Sequence, residues 1–170
     1  MACDITSGRV KQCSDTLGGV SKLYLFNYVA NPFTVSAGEA TAMNVLVTAA
    51  YEYDLEGDGH ILDEQQVPNR DAGTRVNTQT ITAILQKIDA ATSAEMNLTA
   101  ANTPQAVVKD RNGNYFAVGI TDGVKFSIAV NTGSAHEDNN GYTLTGTSKE
   151  ALLAPILDSS TVTEFLAVVA

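Results

Sequence analysis

The chain of 170 residues holds two cysteines, two histidines and ten lysines and arginines, and each scarcity removes a class of function. Cys3 and Cys13 are too few for a disulfide framework. With no apolar leader ahead of them the expectation is reduced thiols, with neither secretion nor a lipid anchor on Cys3 supported. His60 and His136 stand at no metal-ligand spacing to either cysteine, which argues against structural zinc. Nineteen acidic residues outnumber the basic ones for a formal charge of −9, and Arg9, Lys11, Arg70, Arg75, Lys87, Lys109 and Arg111 form no dense cluster. Nucleic-acid capture needs a basic face that displaces counterions, so DNA binding is disfavoured. No apolar run approaches bilayer-spanning length, so no membrane partner is expected. A phosphate-binding loop, a dinucleotide fingerprint and a Gly-x-Ser-x-Gly elbow are all missing, so no catalytic residue and no cofactor is assigned.

What is present reads as β structure in one domain spanning 1–170. The stretch Gln105–Val130 predicts a three-stranded meander. Two apolar runs flank Asp110-Arg-Asn-Gly-Asn114, a hairpin signal because Asn and Gly tolerate positive φ. After the turn at Thr121-Asp-Gly123, Val124, Phe126, Ile128 and Val130 alternate with Lys125, Ser127 and Ala129, which places one face in a core. Lys22–Val29 is apolar on both alternating faces, as in a strand covered on two sides or used at an interface. Ser36–Ala42 reads as a small-residue linker and Met43–Glu56 as a long strand with one wet side. For Val76–Ile88 the spacing of Ile81, Ile84, Leu85 and Ile88 favours a helix, against the extended preference of Thr78, Thr80 and Thr82. A capping box at Thr92-Ser-Ala-Glu95 starts a helix that Asn102 and Pro104 stop. Tyr142, Leu144 and Gly146 mark another strand, Thr147–Leu153 a short helix ending at Pro155, and residues 151–170 a C-terminal segment whose stretch Thr161–Ala170 is too apolar to hang free and is expected to dock on its own domain or on a neighbouring copy.

Residues 1–20 form an irregular arm, and 57–75 a polar connection too long for a tight turn. Such connections are functional or mobile, and this one predicts a projecting hairpin or arm that orders against a neighbour. His60, Ile61, Leu62, Val67, Arg70 and Arg75 are its candidate contact residues, with Phe33 and Phe165 as interface anchors elsewhere. Two chemical patterns inside the loops are weak. Asp54-Leu-Glu-Gly-Asp58-Gly59 opens like a calcium loop, but Gln65 stands where the bidentate glutamate belongs and Glu64 is one position out of register. Ser134, His136 and Asp138 have the residue types of a hydrolase triad, yet five consecutive loop residues hardly converge as one.

The order of elements carries a resemblance. The capped stretch Asp89–Leu98, the hairpin Val107-Val-Lys-Asp-Arg-Asn-Gly-Asn-Tyr115, Gly119, Gly123, the Thr132-Gly-Ser134 loop and Asp138-Asn-Asn-Gly-Tyr-Thr-Leu-Thr145 together resemble the major tail tube proteins of tailed bacteriophages. Cys3-Asp-Ile-Thr-Ser-Gly8 with Gly18-Gly-Val20 is similar to small phage structural proteins. The resemblance covers roughly Gly18–Glu150. It implies an antiparallel sandwich or barrel of two sheets, one short flanking helix and a long projecting loop. It also implies hexameric rings whose inner strands join into one barrel, stacked through a hairpin arm into a tube in the virion tail, assembled in the bacterial cytoplasm. Val76–Ile88 is then a strand. Partners would be identical copies and other tail proteins, with DNA only as non-specific cargo in a negatively charged channel. Alternatives are a head-decoration or head-to-tail connector protein and, from another class, a calcium-dependent carbohydrate-binding sandwich.

Overall fold

The strand expected over Lys22–Val29 runs Val20–Phe26, and its stretch Leu23–Phe26 has apolar residues on both faces because both faces are covered. In the computed structural model, which describes residues 5–170, the elements in chain order are β1 (Val20–Phe26), β2 (Phe33–Ser36), β3 (Glu39–Met43), β4 (Tyr51–Asp54), β5 (Ile61–Asn69), β6 (Thr74–Gln86), α1 (Ala90–Ala101), β7 (Gln105–Asp110), β8 (Tyr115–Val118), β9 (Lys125–Asn131), β10 (Gly141–Glu150), β11 (Ile156–Leu157) and α2 (Ser159–Leu166). Cys3, and with it the expectation of two free thiols, lies outside the described residues. The strands form a seven-stranded sheet, β2-β3-β11-β8-β7-β1-β4, and a four-stranded sheet, β5-β6-β10-β9. The fold is thus a mainly β sandwich, as the sequence led one to expect. Among the described residues no helix is long and apolar enough to cross a membrane.

One core lies between the sheets. Leu23, Leu25, Ala106, Val108 and Val118 of the larger sheet meet Ile81, Ala83, Phe126, Tyr142 and Leu144 of the smaller, with Met96 of α1 closing the side. A second core lies on the far face of the larger sheet, where Tyr24, Phe26, Val107 and Ala117 pack under Phe33, Ala40, Leu157 and Phe165. Alternation along β1 divides the two, Leu23 and Leu25 to one side and Tyr24 and Phe26 to the other. Buried Gln105 latches the loop after β1, accepting from Val29 N at 2.9 Å and donating to the carbonyls of Val29 and Ile120.

Several expectations need correction. Among the described residues the two helices are α1 and α2, and the second lies further along the chain than the short helix expected over Thr147–Leu153. α2 is capped by Asp158, whose carboxylate accepts from Thr161 N, and it seats the C-terminal segment on its own chain, with Ala170 N donating to Ala50 O. α1 starts at Ala90 with Asp89 as its cap, ahead of the anticipated box at Thr92, because the Asp89 carboxylate accepts from Thr92 N at 2.8 Å and the Thr92 hydroxyl itself donates to Asp89. Ser36–Ala42 is no linker but the β2–β3 hairpin, turned at Ala37 and Gly38, both at positive φ. The long strand Met43–Glu56 shrinks to β4. Val76–Ile88 is largely strand, and helical spacing there misleads because β6 carries apolar residues on both faces near its end. The stretch 147–150 belongs to β10, with no helix. The meander also fails. β7 and β8 pair as a hairpin around Asp110–Asn114, but the chain then crosses at Gly119–Val124 to the other sheet, where β9 pairs only with β10.

Candidate functional site

The segment expected to project is a two-stranded hairpin. β5 pairs with β6 from Ile61↔Thr82 to Asn69↔Thr74, and the tip turn is held by Asn69 Oδ1, which accepts from Asp71 N and Ala72 N, both at 3.1 Å. β10 accompanies β6 only as far as Glu150↔Asn77, so the last rungs of the hairpin run beyond the sheet. On them Val67 lies opposite Val76, 61% and 40% exposed, with exposed Arg70 and Arg75 at the tip. Two large aliphatic side chains facing each other in water on a protruding ribbon are a contact waiting for a surface.

The base of the hairpin is fixed by Glu64. Its Oε2 accepts from Asn77 Nδ2 at 2.6 Å, from Gln79 Nε2 at 3.4 Å and from Ala154 N at 2.9 Å, while Gln79 Oε1 accepts from Gly119 N. Asn77 also donates to Leu152 O. One carboxylate therefore ties the hairpin, β6 and the β10–β11 connection together. Sequence reasoning saw Glu64 only as a misplaced calcium ligand. The signal for its role was the parity of Asn77 and Gln79, polar residues that alternate in step with inward-facing Ile81 and Ala83.

Of the expected contact residues, Ile61, Val67, Arg70 and Arg75 are exposed and Leu62 is half-buried against the core between the sheets. His60, Phe33 and Phe165 are internal, which removes them as surface anchors. His60 Nδ1 accepts from Ile84 N at 3.1 Å, so Nε2 carries the hydrogen and donates to Glu56 O at 3.0 Å. Phe33 and Phe165 belong to the second core.

The solvent face of the four-stranded sheet is carpeted with hydroxyls. Thr78, Thr80 and Thr82 of β6 alternate outward beside Thr143, Thr145 and Thr147 of β10, with Thr82 paired to Thr145 and Thr80 to Thr147, and Ser127 of β9 beside Thr145. By the same alternation Asp63 is its one carboxylate and Lys125 and Lys149 its two amines. β5 and β9 form the sheet's two outer edges.

Next to the hairpin base lies an open groove of about 630 Å³, lined by Val35, Ile120, Leu152, Leu153 and Pro155 with Arg75 at its edge. The acidic stretch makes no comparable site. Asp54 pairs with Lys22 at 3.1 Å and Asp58 with Arg111 at 3.3 Å, while Glu64 serves the hairpin base, so these carboxylates do not converge. In the 131–141 loop, Asp138 Oδ2 accepts from Ser134 N, Ser134 Oγ and Ala135 N. These bonds, from the backbone of Ala135 and then of Ser134, hold its carboxyl below the usual range. Ser134 thus donates directly to the carboxylate with no imidazole between them, which is a turn cap and not a triad.

No protein-family model matches the sequence, no curated protein matches it, and no solved structure matches the fold.

Proposed function

We propose that the chain is a structural subunit, without chemistry of its own, whose identical copies form rings that stack into a hollow tube like those of the major tail tube proteins of tailed bacteriophages. The observation that carries this reading is the four-stranded sheet with unpaired strands at both borders. Strand direction alternates across β5, β6, β10 and β9. With an even number of strands, β9 of one copy runs antiparallel to β5 of an equally oriented neighbour. Copies related by rotation about one axis then extend a single antiparallel sheet until it closes, which is the way a ring disposes of free edges.

In such a ring the hydroxyl face lines the channel and the hairpin tips, with Val67 and Val76, reach the next ring. The lining differs from the acidic one anticipated: threonine and serine dominate it, and the chain's net negative charge resides elsewhere. Hydroxyls give DNA no dense array of cations to hold, and an acidic body repels it, so passage without adhesion is retained. Other tail proteins would contact the tube's ends, in the virion.

Electron microscopy of concentrated purified protein tests the proposal. Hollow tubes or stacked six-fold rings are expected. Isolated rings or trimers would favour a head-decoration or connector role, and a persistent monomer by light scattering overturns the reading. Calcium-dependent sugar binding predicts a melting temperature that rises with calcium, and no rise is expected from carboxylates already engaged within the chain.

A further inference from the structure

We propose that the groove between β4 and α1 takes an extended, cationic segment of another protein, which adds to the free edge of β4 as a further strand. The proposal concerns the larger sheet, whereas ring closure uses the smaller one, so either can stand without the other.

β4 is the last strand of the seven-stranded sheet and pairs along its length with β1 alone. Backbone groups along a strand point alternately to its two sides, and two observations fix which ones face out. Leu55 N donates inward to Ser21 O, whereas Ala50 N donates to Val168 O and Ala50 O accepts from Ala170 N on the side away from β1. Glu52 and Asp54 share the parity of Ala50. Their N–H and C=O groups therefore line the open border, and among the described residues neither pairs there with another backbone group. The bridge between Ala50 and Val169 is a parallel one, so the chain itself starts a ladder on this border. Beyond that single rung β4 continues over Tyr51–Asp54, a further length of about 13 Å at about 3.3 Å per residue.

α1 turns this border into a groove. An open trough of about 640 Å³ lies between strand and helix, with Tyr51, Tyr53, Glu95, Leu98 and Thr99 on its walls and Ala170 beside the rung already made. Tyr51 and Leu98 are 52% and 63% exposed, apolar surface with little cover from their own chain. A strand edge facing a wall of side chains is the arrangement in which an added peptide gains affinity from main-chain hydrogen bonds and selectivity from contacts with every second residue.

Charge selects the occupant. The lining holds two carboxylates, Glu52 and Glu95, and neither lysine nor arginine. Glu52 pairs with Lys22 at 2.5 Å, whereas among the described residues Glu95 has no cation within ion-pair distance. Burial, and after it the Glu95 charge, hold the Tyr53 hydroxyl above its ordinary value, so carboxylate and phenol are neighbours. A lysine or arginine entering beside them meets an unpaired charge and an aromatic face. Two positions along the same side of the incoming strand, an aliphatic residue would lie against Leu98 and Tyr51. A second copy of β4 suits the border badly, because Tyr51-Glu-Tyr-Asp54 laid against itself sets carboxylates opposite carboxylates.

The test uses the full chain and a short, end-blocked, fluorescent peptide that alternates valine with lysine, followed by anisotropy. Saturable binding is expected, at least tenfold weaker for the peptide that alternates valine with glutamate and for the lysine peptide with its backbone amides methylated. Hydrogen exchange at the Glu52 and Asp54 amides should slow at least tenfold in the complex. Glu95→Lys should weaken binding at least tenfold, whereas Glu137→Lys, the same charge change at an exposed position of the 131–141 loop, should leave it unchanged. Equal weakening by the two substitutions would show attraction to the acidic body as a whole and overturns the proposal. Absent saturation, equal affinity of the methylated peptide, or unaltered exchange at Glu52 and Asp54 overturns it as well, as does pairing of two copies through β4 that excludes the peptide.

Discussion

Phe165 meets Tyr24 edge to face, ring centroids 5.4 Å apart and planes at 87°. Through this contact the last helix seals the outer face of the larger sheet, with Phe26 at 6.0 Å and Phe33 at 6.3 Å completing the cluster. Phe165 is fully buried, and its truncation leaves a cavity that α2 cannot fill. Phe165→Ala is expected to cost about 3–5 kcal/mol, read as a lower urea midpoint at unchanged slope, with Phe165→Leu costing markedly less.

Glu64 gathers three donors on one oxygen. Removing it leaves one N–H of the Asn77 amide, whose other N–H keeps Leu152 O, and the Ala154 N–H without their acceptor in a half-dry site, so Glu64→Ala should lose about 2–3 kcal/mol. Glu64→Gln, which keeps a carbonyl oxygen, should lose less. Both are measured by denaturant unfolding.

The caps give a pH signature. The Asp89 carboxyl is held below its usual value, first by the hydroxyl and then by the backbone N–H of Thr92; Asp158 is held low by the backbone and side chain of Thr161. A depressed folded value means the cap stabilises fully above the ordinary carboxylate pKa of 3.8 and is lost as pH falls through the folded value. Asp89→Ala and Asp158→Ala should therefore melt lower than the parent at pH 7. Across a pH series the gap should close below pH 3.8.

Two glycines separate shape from conformation. A Cβ on Gly141 would lie 1.9 Å from Leu85 O, a backbone atom locked in the β6–β10 ladder. Gly141→Ala must break that pairing and should cost at least about 3 kcal/mol. Gly113, at φ +90° with open space around it, bears only the left-handed penalty, and Gly113→Ala should cost about 1–2 kcal/mol. Thermal melts of the two variants decide the order.

Val67→Asp puts a charge on the protruding rungs, where Val67 touches no core. Stability of the isolated chain should stay within about 0.5 kcal/mol of the parent. Tube formation, followed by sedimentation, should be abolished.

Much of the sandwich was legible where local chemistry and tertiary environment agree. Asp110–Asn114 both look like a turn and form one, and the two-sided apolar character of Leu23–Phe26 reported two covers. The misreadings occur where local and global signals part. In β6 the threonines 78, 80 and 82 alternate as a strand should, yet Ile84 and Leu85 on opposite faces add a helical period. The turn at Thr121–Gly123 was visible, but turn chemistry does not say which sheet receives the next strand, so β9 was given to the wrong neighbour. Ser36–Ala42 looked like a linker because its alanines bury little area, although Ala40 is fully covered. The cap Asp158-Ser-Ser-Thr161 carried a helix signal that the apolar tail after it obscured. Of the two exposed valines that face each other on the hairpin, Val67 lay within the segment expected to project, whereas Val76 fell in the stretch whose spacing favoured a helix. The parity of Asn77 and Gln79 hinted at a buried polar partner without naming Glu64, and Leu152 and Leu153 as groove could not be found without knowing that β10 ends beside them.

α2 follows all eleven strands in chain order, yet it is the lid over Tyr24, Phe26 and Val107. During synthesis from the N-terminus, the larger sheet can therefore assemble while one aromatic side is still bare. A chain whose sheets have formed before α2 docks is the form most prone to clump or to recruit a chaperone, a vulnerability that ends only when that helix settles into place.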